Sequence, residues 1–111
     1  MNMNEFTTEL KELCYKIKGL ARTYYRNAYI YEGILISDMQ KYCLDLKNLA
    51  VDFLFNNPNH LSKEGFRYIC EMTVPNTVEE CVKFKDTIQL MILYKVKYNE
   101  RFIGSENFKL F

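Results

Sequence analysis

At 111 residues the chain has the length of a single domain and is too short for two. Its composition, 49% hydrophobic and 26% charged, is that of a globular protein and excludes collagen-like, low-complexity and disordered classes. A surplus of one positive charge, 15 basic against 14 acidic residues, gives no global field that would select nucleic acid or a membrane.

The first predicted element is a helix over 5–31. Phe6, Leu10, Leu13, Cys14, Ile17, Leu20, Ala21 and Tyr24 recur at spacings of three and four, which places them on one face. Lys11, Glu12, Lys16, Lys18 and Arg22 occupy the opposite face, Asn4 is the expected cap, and Glu5 suits the positive end of the dipole. The end of this helix is ambiguous. Residues 24–36 continue the stripe through Ala28 and Tyr31, yet two β-prone runs flank Glu32-Gly33 as in a small hairpin; helix to Tyr31 and a break at Gly33 is the preferred reading.

Ser37-Asp38-Met39-Gln40 has the pattern of a capping box and predicts a second helix over 38–55. Its inward face is Met39, Tyr42, Cys43, Leu46, Leu49, Ala50, Phe53 and Leu54, and Asn56-Asn57-Pro58-Asn59 ends it. Ser62 caps a short third helix over 63–73, with Leu61 and Phe66 at the staple positions and Phe66, Ile69, Cys70 and Thr73 inward. Thr77-Val78-Glu79-Glu80 is a second capping box, opening a helix over 78–103 whose stripe is Cys81, Phe84, Ile88, Met91, Tyr98 and Phe102. A period-two alternation from Ile88 to Tyr98 competes as a strand, but no turn signal separates it from the cap at Thr77. Phe108, Leu110 and Phe111 make the last segment apolar enough to dock on the bundle or on a partner. Four helices with short connections and one apolar stripe each predict an all-α, four-helix bundle in one domain over 1–111.

Residues that carry chemistry are sparse. The four cysteines form no C-x-x-C pair, each falls on a stripe read as inward, and neither a metal nor a cofactor is expected. The single histidine, His60, lies in the Asn-rich loop and reads as a solvated loop residue. Asp38, Asp45 and Asp52 line up one heptad apart and read as a solvated acidic face. No phosphate loop, G-x-S-x-G or paired-carboxylate motif is present, and the expectation is a protein that is not an enzyme. In length and helical pattern the chain resembles the small helical HEPN nucleases, whose Arg-x4–6-His motif it lacks: His60 has no arginine upstream nearer than Arg26.

Two features point to binding. The run from Arg22 to Tyr31 concentrates arginines and tyrosines, the side chains that dominate interaction hot spots and can also stack on bases and grip phosphates. Arg22, Tyr24, Tyr25, Arg26 and Tyr29 are the expected partner-binding residues. The second is a surplus of apolar side chains on faces that should be wet: Leu44, Asn48, Val51 and Phe55 form a heptad-like seam, and Leu90 and Leu93 repeat the spacing on the last helix. These six are the expected interface of a homo-oligomer, a dimer in the simplest case. No basic-then-apolar leader opens the chain and no apolar run is long enough to span a bilayer, so a cytoplasmic protein is expected. Asn, Lys, Tyr, Phe and Ile abound while Gly and Pro are scarce, the mark of an AT-rich gene. Together these predict a protein-binding module, an accessory protein of a phage or mobile element that inhibits or redirects a host machine such as a defence nuclease. A small nucleic-acid-binding regulator using residues 22–31 is the alternative.

Overall fold

The structure, a computed structural model, describes residues 2–26 and 32–94. It contains four helices and, among the described residues, no strand: α1 (Met3–Arg26), α2 (Glu32–Asn56), α3 (Lys63–Glu71) and α4 (Val78–Leu93). The all-α bundle is as expected; several boundaries differ.

Helix α1 begins two residues before its expected start. Asn2, and not Asn4, caps it: Asn2 Oδ1 accepts from the Glu5 backbone N–H at 2.9 Å, and Asn2 Nδ2 donates back to the Glu5 carboxylate at 3.0 Å. The expected inward stripe is the observed one, with Phe6, Leu10, Cys14, Ile17 and Ala21 buried and Leu13, Leu20 and Tyr24 half-buried against the core. Residues 27–31, where the end of the first helix and Tyr29 were expected, lie outside the described residues.

The break at Gly33 and the cap at Ser37 are both corrected. Helix α2 starts at Glu32 and runs through both residues. Ile36 extends the Met39–Cys43 stripe backwards by one turn and packs against the core, so burial of one more apolar residue overrides the local capping pattern. Gln40, expected to reach back to Ser37, instead donates to the Pro75 carbonyl at 2.8 Å. Lower on the same helix, Lys47 Nζ donates to the Met72 carbonyl at 2.7 Å. These two bonds fasten the α3–α4 connection to α2.

The caps of α3 and α4 are as expected. Ser62 Oγ accepts from Gly65 N and Thr77 Oγ1 from Glu80 N, each at 3.1 Å. Helix α3 ends at Glu71, with Met72 as its C-cap, two residues before the expected end. Its buried residues are Gly65 and Ile69, and a Cβ at Gly65 would meet Ser62 Oγ at 3.3 Å and Met91 Cε at 3.4 Å, a measure of how closely α3 approaches α4. Cys70 and Thr73, expected inward, are exposed: one helical step of about 100° from Ile69 carries Cys70 out of the core.

Helix α2 packs against α1, α3 and α4, and α1 also packs against α4. The stacked rings of Phe6 and Phe53, with centroids 3.7 Å apart, join α1 to α2. Helix α4 is covered on almost every side. Besides Cys81, Phe84, Ile88 and Met91 it buries Val78, Lys85, Thr87 and Ile92. Residues 88–93 are helical, which settles the helix-or-strand question for that part of the run; 95–111, including the expected docking tail, lie outside the described residues.

Candidate functional site: the α1–α4 groove

Along its wet face, Lys11, Tyr15, Lys18, Arg22 and Tyr25 recur at spacings of four, three, four and three, so α1 presents them in one line. Helix α4 packs beside this line, and between the two lies a groove of about 650 Å³. Arg26 from α1 and Val82, Lys85, Asp86, Gln89 and Tyr94 from α4 and its cap complete the lining. Cys14, Ala21 and Val82 are small and largely covered, forming a recessed apolar floor, whereas Tyr15 (73% exposed) and Tyr25 (59%) stand at the rim.

The electrostatics are one-sided. Five cationic side chains line the groove against the single carboxylate of Asp86, which is paired with Lys85. Lys11, Lys18, Arg22 and Arg26 form no ion pair with a described residue. The Lys85 and Asp86 side chains are only 9% and 13% exposed, and Asp86 Oδ1 takes no well-directed hydrogen bond from a described residue. Beneath them, burial pushes the Cys14 thiol up to about 12, with Lys85 opposing the shift and Asp86 adding to it. A thiol so held is neutral at pH 7 and is not a nucleophile there.

Of the expected partner-binding residues, the groove brings together Arg22, Tyr25 and Arg26. Tyr24 points elsewhere: it is half-buried against the core, with its ring edge-on to Tyr25 at 5.4 Å. Lys11, Tyr15 and Lys18 line the same groove; in the sequence Lys11 and Lys18 are ordinary members of the polar face of an amphipathic helix. Their regular spacing with Arg22 and Tyr25 was the available signal.

The expected oligomer seam divides. On α2, Leu44 is 47% and Phe55 76% exposed, and Asn48, Val51 and Phe55 meet Lys47, Asp52 and Cys70 around a shallow pocket of about 310 Å³. Leu90 and Leu93 are half-buried and packed against the core. Leu93 lines a different pocket, beside Met3, Phe6 and His60. The structure does not bring Leu93 together with the α2 seam.

His60 is corrected from a solvated loop residue to a half-buried structural one. Its Nε2 lies 3.0 Å from the Ile92 carbonyl, and its ring meets Phe53 edge-on at 5.1 Å. Since a carbonyl only accepts, Nε2 carries the proton and satisfies one of the orphan carbonyls in the last turn of α4. The cysteines are corrected in one case: Cys14, Cys43 and Cys81 are buried, but Cys70 is exposed. Cys43 Sγ lies 3.8 Å from the Cys81 carbonyl. Burial raises the thiols of Cys43 and Cys81 as well as that of Cys14. Asp38, Asp45 and Asp52 are exposed, and no group of three or more His, Cys, Asp or Glu side chains among the described residues could hold a metal ion. Nor is any helix among them long and apolar enough to cross a membrane. No protein-family model matches the chain, and no curated protein or solved structure shows significant similarity to it.

Proposed function

We propose that the protein is a non-enzymatic, cytoplasmic binding module that engages a protein partner through the α1–α4 groove. The observation that carries this reading is the convergence of four cations, none ion-paired with a described residue, and three tyrosines on a recessed apolar floor. Tyr and Arg around a pocket have the composition of an interaction hot spot, with area, directional bonds and little entropy lost on docking. An accessory protein of a phage or mobile element that inhibits a host machine would act through such a surface, by occlusion. Placing a photoreactive amino acid at Tyr25 tests the reading in cells. A discrete protein adduct that disappears in Arg22→Glu/Arg26→Glu is expected; adducts with nucleic acid alone, or none, overturn it.

A second reading concerns self-association, favoured by the exposure of Leu44 and Phe55 on α2. The α2 seam joins two copies, and Leu44→Glu/Phe55→Glu lowers the mass measured by light scattering. A wild-type chain of monomer mass at high concentration refutes the dimer.

A further inference from the structure

We infer that the occupant of the α1–α4 groove is an amphipathic helix of the partner whose apolar stripe is flanked by Asp and Glu; this rests on the reading of the groove as a protein-docking surface. Shape comes first. From Lys11 to Arg26 the α1 wall is about 22 Å long, roughly four helical turns. Both walls are helices, and no strand edge exists among the described residues for an extended peptide to join. A floor of Cys14, Ala21 and Val82 is small and apolar, so it admits aliphatic side chains from a third helix laid in the groove.

Charge then selects the kind of helix. With Lys85 neutralised by Asp86, the groove keeps a surplus of Lys11, Lys18, Arg22 and Arg26, which a flanking row of carboxylates complements. The chain's own segment after Tyr94 is a poor match, since Lys95, Lys97, Arg101 and Lys109 outnumber Glu100 and Glu106. A single nucleic-acid strand would find cations here, but the tyrosines stand at the rim while the floor is made of small apolar side chains, the reverse of a stacking platform.

The test uses the full chain and defined probes in fluorescence anisotropy. The first is an N-acetylated, four-turn peptide with Leu at a and d positions and Glu on both flanks. The others are a scrambled peptide of the same composition, a Lys-for-Glu version and an oligothymidylate. The patterned acidic peptide should bind, and Arg22→Glu/Arg26→Glu should weaken it by about tenfold or more, two exposed charge contacts being reversed. Arg22 and Arg26 are exposed, so that variant keeps its fold, which circular dichroism checks. Equal binding of the scrambled peptide overturns the helix but leaves protein docking standing. Preferential binding of oligothymidylate, competing with the peptide, overturns both. Failure of every probe at millimolar concentration overturns the acidic helix, while the Tyr25 crosslinking decides protein docking separately.

Discussion

The cysteines allow a quantitative check on the packing. Native protein at pH 8 is treated with a chromogenic disulfide reagent, which reacts with thiolates. A free thiol whose ordinary value is near 9 is roughly a tenth ionised at that pH. Cys14, pushed up to about 12, is ionised to about one part in ten thousand, a suppression of about a thousandfold before access is considered. Cys43 and Cys81 are shifted the same way by burial, and all three lie in the core between helices, so reagent reaches them only through opening of the bundle. Only Cys70 is exposed. The expected trace therefore has one fast equivalent per chain and three slow ones that become fast in denaturant. Cys70→Ala removes the fast phase. Two or more fast equivalents, or a fast phase that survives Cys70→Ala, refute the placement of the core.

Four further outcomes follow from the same packing. Phe6 is fully buried and stacked on Phe53, so Phe6→Ala should cost about 3–5 kcal/mol in urea unfolding, a large share of the roughly 5–15 kcal/mol typical of a domain. His60→Ala loses the bond to Ile92 and the ring contact with Phe53, and should cost about 1–2 kcal/mol; a neutral result contradicts the capping role. The two caps should separate, Thr77→Ala costing about 1 kcal/mol and Ser37→Ala, inside α2, being neutral or slightly stabilising. Stability should also fall in alkali: well below pH 9 both states hold the Cys14 proton, but from about 9 to about 12 the unfolded chain has released it while the fold keeps it, so this thiol alone lowers stability by about 1 kcal/mol per pH unit, and Cys43 and Cys81 add in the same direction. Cys14→Ala should reduce that slope by its own share and leave the part due to Cys43 and Cys81, as read from urea midpoints at pH 8 and 10.

Much of the fold was legible because periodicity and burial coincide. The stripes of α1 and α2 were readable residue by residue, as were the caps Ser62 and Thr77, where the local pattern and the packing agree. Ser37 misled because its box is locally sound; only the demand of Ile36 for the core, a tertiary fact, carries α2 past it. Cys70 misled for a simpler reason. In a nine-residue helix a stripe is defined by few positions, and a single step turns a core residue outward. His60 was illegible, since its partner is a carbonyl thirty-two residues away that no side-chain pattern marks. Only the Arg22–Arg26 end of the groove was within reach from the Arg/Tyr run, and its other wall was not: which helix lies beside α1 is decided by packing, and nothing local marks Lys85 and Asp86 as a buried pair.

The groove is built from the first and last described helices of the chain, and this has a consequence during synthesis. When α1 through α3 have left the ribosome, the cationic line on α1 exists, but the wall and floor supplied by Val82, Lys85, Asp86 and Gln89 do not. Helix α4 has little wet face to hold it alone and takes shape against α1 and α2 together. On the proposed reading of the groove as a docking surface, a nascent or truncated chain that stops before α4 lacks the site altogether.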